Sequence, residues 1–176
     1  MRKSTIAVLI VIAGLAAAPA TAQETKPIQL SLWDPVQIHK NTTSVKGFRF
    51  NLLYGVNDNM TGVDIGLVNR TTGRLAAFQI GFVGMTGELR GWQLNLVNIS
   101  NGATAGLQGP DAVYNSAVTM TGGVQIGLVN RAESFSGLQL GLINVTDTLD
   151  GLQIALLNVV GSREKWKYLP IVSWSF

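Results

Sequence analysis

A chain of 176 residues with 13 Lys and Arg against 10 Asp and Glu carries a formal charge of only +3, which gives no reason to expect a nucleic acid or other polyanion as partner. It has 20 Gly, 47% apolar residues and no Cys. That excludes a disulfide framework and the acylated Cys of a lipoprotein, so stability must come from hydrogen-bonded strands and packing.

Residues 1–22 read as a secretory leader: Arg2 and Lys3 form the charged start, residues 6–17 the apolar core, and Ala20-Thr21-Ala22 the A-x-A cleavage signal. Removal of Arg2 and Lys3 takes the formal charge from +3 to +1. Residues 23–176 are then one all-β repeat domain. Ile28-Gln29-Leu30-Ser31-Leu32 and Gly47-Phe48-Arg49-Phe50-Asn51-Leu52-Leu53 are degenerate forms of a decamer written fully from Met60 (MTGVDIGLVN), Leu75 (LAAFQIGFVG), Leu89 (LRGWQLNLVN), Thr121 (TGGVQIGLVN), Phe135 (FSGLQLGLIN) and Leu149 (LDGLQIALLN). Its Gln slot falls at Asp64, Gln79, Gln93, Gln108, Gln125, Gln139 and Gln153, every 14 to 17 residues. Self-similarity at a fixed period means that each unit buries its apolar residues only against its copies. Within a unit, apolar residues alternate, the strand signature, and helix is not expected after the leader.

The connectors RTTGR (70–74), RAES (131–134) and VTDT (145–148) predict turns, making each unit strand, turn, strand. Gly109-Pro110-Asp111 interrupts the alternation, since proline cannot donate to a ladder, and residues 99–120 are expected to be the longest irregular region and a place for binding. In the last strand Trp174, Val172, Pro170, Tyr168 and Trp166 share one face up to Phe176. Bacterial outer-membrane barrels end in a similar way, which makes Phe176 a candidate assembly signal.

Two architectures satisfy this repeat. In the leading one, ten strands, counted from the slot at Gln29 to Ser173, close an antiparallel outer-membrane-type β-barrel. Leu138, Leu140 and Leu142 then meet lipid, and Phe135, Gly137, Gln139, Gly141 and Ile143 fill the lumen. The alternative is a parallel β-solenoid with one coil per unit, the Leu and Ile faces stacked inward and Asn69, Asn98, Asn130, Asn144 and Asn158 laddered at a corner. Near-identity of the units and an apolar span of only about 13 Å favour the solenoid. The placing of Val68, Val97, Val129 and Ile143 on the Gln face favours the barrel.

The segments GVQIGLVN, GLQLGLIN and GLQIALLN resemble a loose family of exported bacterial proteins built from G-[LV]-Q-[IL]-G-L-[VI]-N repeats, some of which look like surface lipoproteins. The resemblance covers roughly residues 48–176, implies an envelope or surface location, and carries over no catalytic residue. This chain lacks the Cys of the lipoprotein members.

No catalytic machinery is legible. The single His39 stands beside Lys40 without Cys or an acidic pair, Asp58, Asp64, Glu88, Asp147 and Asp150 are scattered, and no nucleotide, hydrolase or calcium motif occurs. No enzyme activity, metal or cofactor is expected. Asn41, Asn69, Asn98 and Asn144 fit glycosylation triplets, but the repeat itself sets Asn before a Thr- or Ser-rich turn. The structural candidates are the slot residues Gln79, Gln93, Gln125, Gln139 and Gln153, together with Phe176 and a charge pair, Arg49 with Asp64, in successive slots. The functional expectation is a non-enzymatic envelope protein with a structural or surface-display role, partnered by the outer membrane and its barrel-assembly machinery. Its alternative is a secreted or surface-associated solenoid acting as a protein-interaction module.

Overall fold

The computed structural model describes residues 24–176, and the leader expected over residues 1–22 lies outside the described residues. Six β segments follow one another: β1 (Thr25–Trp33), β2 (Val36–Gln37), β3 (Ser44–Asn57), β4 (Met60–Leu140), β5 (Ile143–Val160) and β6 (Tyr168–Ser175). They form one sheet in the order β2-β1-β3-β4-β5-β6. A strand of 81 residues such as β4 would reach about 270 Å if straight, at about 3.3 Å per residue. It is instead wound on itself. β1 with β3, β3 with β4, and β4 with β5 all pair parallel, so each pass runs in the direction of the last. The architecture is a parallel β-solenoid of about eight turns.

The antiparallel barrel is therefore not formed, and the reason lies in the connectors. A barrel reverses the chain at each of them, whereas 70–74 and 131–134 stay extended within β4 and 145–148 within β5. The expected irregular region 99–120 is likewise strand throughout and supplies one complete rung. Most of its extra length lies between Gln108 and Asn115, seven positions apart against five between Gln125 and Asn130. Antiparallel pairing is confined to the two ends of the described chain: the short β2 folds back along β1 with Ser31 opposite Gln37, and β6 lies along β5 with Leu152 opposite Trp174, Gln153 opposite Ser173 and Ile154 opposite Val172.

The interior also corrects the facing given above for a solenoid. Gln79, Gln93, Gln108, Gln125, Gln139 and Gln153 are fully buried, whereas Leu142 is 48% and Leu156 73% exposed. The coil is polar within and apolar without, the facing of the barrel combined with the connectivity of the solenoid. The Val positions on the Gln face are reconciled by a corner. Leu142 and Ile143 both point outward and Asn144 turns in, so strict alternation ends one residue before the Asn slot.

The inward apolar residues occupy one column at the start of each unit. Val45, Met60, Leu75 and Leu89 pack in one cluster with Ala77, and Met120, Phe135 and Leu149 in another with Ala117, Ala132 and Val160. Between the clusters the column holds Thr104, whose hydroxyl bonds to Ser100 Oγ at 2.6 Å. The Gly two residues before the Gln answers a different need. Gly137 has φ +132°, and a Cβ there would run into the carbonyl oxygen of Gly123 in the coil beneath. Only glycine adopts that backbone without strain. Gly137→Ala is expected to destabilise the fold by about 1–3 kcal/mol, read as a fall in the urea midpoint, because strained backbone and close contact act together. An unchanged midpoint would contradict this account of the repeat's glycine.

Candidate interaction face

The inside-out arrangement rests on two amide ladders. Strands stack about 4.8 Å apart, a spacing at which the side-chain amide of one Gln reaches the next, as in stacked cross-β chains. Gln93 Nε2 donates to Gln79 Oε1 (3.1 Å), Gln108 to Gln93 (3.1 Å), Gln125 to Gln108 (2.8 Å), Gln139 to Gln125 (2.6 Å) and Gln153 to Gln139 (2.7 Å). Every donor points toward the N-terminal end. The chain of amides stops at Asp64, which accepts from Gln79 Nε2 at 2.7 Å and has no proton to pass on. Beneath it Arg49 Nε and Nη2 bond to Asp64 Oδ1 (2.7 Å) and Oδ2 (2.5 Å), with both side chains fully buried.

Arg49 also donates from Nη1 to the Arg70 carbonyl (2.9 Å) and Asn57 Oδ1 (3.4 Å) and from Nη2 to Thr71 Oγ1 (3.1 Å), which accounts for its three remaining N–H groups. A desolvated pair of this kind is tolerated only when it is so enclosed by partners. At the other end the ladder meets Ser173, too short to continue it, and Gln153 Oε1 has no partner.

A second ladder runs the opposite way. Asn98 Nδ2 donates to Asn115 Oδ1 (2.9 Å), Asn115 to Asn130 (2.8 Å), Asn130 to Asn144 (2.8 Å) and Asn144 to Asn158 (3.1 Å). Asn115 belongs to this ladder although the interruption before it hides its register in the sequence. The inward Gly two residues after the Gln makes room for these amides: a Cβ on Gly141 would press on Asn130 Nδ2 and Asn144 Oδ1. Where the Asn slot holds Gly, an Asn has moved into a Gly slot. Gly55 stands where Asn is expected, and Asn51 in the same coil fills the space and bonds to Asn69 (2.8 Å). Gly84 lacks the amide likewise, and Asn95 one coil later reaches Gln79 Oε1 (3.1 Å) and Asn98 Oδ1 (2.7 Å). These swaps conserve interior volume and polarity.

The slot residues singled out from sequence are therefore brought together, but inside, where they touch no partner. What remains outside is their apolar neighbours. One row runs through Phe48, Val63, Phe78, Trp92, Leu138 and Leu152, a second through Phe50, Ile65, Ile80, Leu94, Ile126 and Leu140, and a third through Leu52, Leu67, Phe82, Leu96, Leu128 and Leu142. Phe78 and Trp92, on successive coils of the first row, stand ring to ring at 5.8 Å. Ile28 and Leu30 extend the face at one end, Trp174 and Val172 at the other. Phe176, 95% exposed, projects beyond the last strand. The opposite side of the coil is polar and carries the exposed pair Arg74–Glu88 (3.1 Å).

Two of the shallow grooves on the apolar face bear on its relief. One, of about 500 Å³, lies where the rung of Gln108 is interrupted, lined by Pro110, Ala112, Val113, Ile126, Leu128 and Leu142 among others. The other, of about 370 Å³, lies between Phe50, Leu52, Ile65, Leu67, Ile80 and Phe82. The outward rows were present in the repeat from the start. Their significance was hidden because apolar residues at alternate positions are ordinarily core.

Among the described residues no three His, Asp or Glu side chains gather as a metal site, and no helix is long and apolar enough to cross a membrane. His39 is held through its backbone, its N–H donating to Gln29 Oε1 (3.0 Å) and its carbonyl accepting from Gln29 Nε2 (2.9 Å). No family model, curated protein or solved structure matches the chain.

Proposed function

We propose that the chain is a non-enzymatic, exported interaction module of the bacterial envelope, with its laddered interior as a rigid spine and its three-row apolar face as the surface that recognises a protein. The observation that carries this reading is the face itself. Folded monomers seldom expose contiguous apolar patches beyond a few hundred Å², and larger ones mark sites of association. Here apolar residues recur at the same three outward positions on nearly every coil, while charged residues gather on the opposite side. The leader and the resemblance to exported repeat proteins support the location.

In-cell photocrosslinking tests the reading. A photoreactive residue at Leu96 on the face is expected to give discrete protein adducts, and the same residue at Thr72 on the polar side is expected to give none. Absence of any protein adduct from the face, or adducts to lipid alone, would overturn it.

A further inference from the structure

We infer that the partner covering the apolar face is a second copy of this chain, packed antiparallel about a two-fold axis that lies along the strands between the rungs of Gln93 and Gln108. The inference rests on the reading of the face as a protein-recognition surface and adds the identity of the occupant. Three properties of the face carry it.

The first is size. Ten rungs about 4.8 Å apart and three outward residues across at about 3.3 Å per residue make a face of roughly 600–700 Å². Two copies would bury about 1,200–1,400 Å², within the range of stable specific interfaces. The second is uniform chemistry. Like faces repel when they carry like charges; these rows are apolar from end to end apart from Asp111 at the interrupted rung, so the exposed Asp111 carboxylates of the two copies, beside the axis, are the one like-charge contact that self-association has to accommodate.

The third is relief. The face is bulky in its N-terminal half and recessed in its C-terminal half, as a self-complementary patch requires. The aromatic residues Phe48, Phe50, Phe78, Phe82 and Trp92 lie on the N-terminal side of the proposed axis, with Trp174 of the last strand beyond it. Beyond it the rung of Gln108 interrupts the second row with Gly109, and the groove of about 500 Å³ spans the rungs of Gln108, Gln125 and Gln139. The two-fold sets the rung of Gln79 opposite that of Gln125, in the middle of this groove. Phe82, 56% exposed, then lies over Leu128 of the partner copy. Reciprocally, Leu142 meets the groove of about 370 Å³ between Phe50 and Phe82. A parallel arrangement would set each rung on itself and Phe82 against Phe78, bulk against bulk. A lipid surface needs no such division of relief, which is why the copy is favoured over a bilayer.

Sedimentation equilibrium of residues 23–176 over about 1 to 100 μM tests this, with a dimer expected in that range. Phe82→Glu should weaken dimerisation about a hundredfold or more, the scale of losing a buried aromatic anchor and leaving a charge in its place. Phe82→Glu combined with Leu128→Lys should restore it to within about tenfold, because each Glu then meets a Lys across the axis. Within one chain the two positions are three coils, about 14 Å, apart and cannot pair.

Both side chains point outward, and an unchanged far-UV circular dichroism spectrum verifies that the variants fold. Leu142→Lys, expected to dissociate the dimer equally, replaces Phe82→Glu if that variant does not fold. A monomer throughout the concentration range, with or without binding to vesicles, overturns the dimer, as does a dimer indifferent to Phe82→Glu or one that the second substitution fails to rescue. Face-specific crosslinks to other proteins would then leave the interaction reading standing, whereas their absence would remove it as well.

Discussion

Arg49→Gln and Asp64→Gln, made singly, are each expected to lower the unfolding free energy by about 3–5 kcal/mol, the usual cost of removing one partner from a buried ion pair. Both side chains are fully buried and joined by two hydrogen bonds, so either substitution leaves the other charge desolvated and uncompensated. The double substitution puts the repeat's own residue in both slots. The amide introduced at position 64 can accept from Gln79 as Asp64 does and donate onward to the amide introduced at position 49, so most of the loss should be recovered. Recovery should be incomplete, because the Arg70 carbonyl and Thr71 Oγ1 each lose a donor that the shorter glutamine side chain does not replace. A double-mutant cycle of denaturant midpoints measures the coupling. A coupling energy within about 0.3 kcal/mol of zero would mean that the two residues do not share a dry interior.

The second large effect reverses the ordinary rule for apolar and polar substitutions. Gln125→Leu keeps the volume similar and makes the residue more hydrophobic, yet it should destabilise by roughly 2–5 kcal/mol. Gln125 accepts from Gln139 (2.6 Å) and donates to Gln108 (2.8 Å) and to the Arg131 carbonyl (3.2 Å), so leucine strands a donor on one side and an acceptor on the other. Each buried group left unpaired costs about 1–3 kcal/mol. Leu53→Gln is the counterpart. Leu53 is 47% exposed on the shoulder beside the apolar rows, and its replacement should change stability by about 0.5 kcal/mol or less. Urea midpoints of the two variants decide the facing. A stable Gln125→Leu beside a destabilised Leu53→Gln would turn the coil inside out.

The ladders set the order of these effects. A polar interior in which most amides are paired is high in stake, because removal of one amide interrupts a chain running through many coils. The outward residues belong to one coil each and contribute chiefly to whatever covers the face. This is why the residues most conspicuous in the repeat, Gln79 through Gln153, belong to the architecture, and why Phe82 and Trp92, which look like irregularities in it, are the ones proposed for recognition.

That the chain is all-β, that each repeat is one rung, and that Gln and Leu lie on opposite faces all follow from the order of residues, because period-two alternation and the recurrence of Gln every 14 to 17 residues allow little else. The same spacing brought Arg49 and Asp64 into successive slots before any contact was known. Whether the next rung is reached by reversal or by continuing round the coil was open until the strands were seen to pair, since alternation is the same for both. The connector 70–74 reads equally well as a hairpin turn or as an extended side of a coil, and the choice falls to the long-range pairing of the strands.

The facing was likewise settled in three dimensions. Apolar residues ordinarily go inside, but here the lumen holds its apolar residues in one column at the start of each unit, and in the Gln and Asn columns amides stacked about 4.8 Å apart satisfy one another along the axis. The exchanges of Asn51 with Gly55 and of Gly84 with Asn95 could not be interpreted in the linear chain, because their compensation takes place across the lumen, between side chains that meet only after the coil is wound.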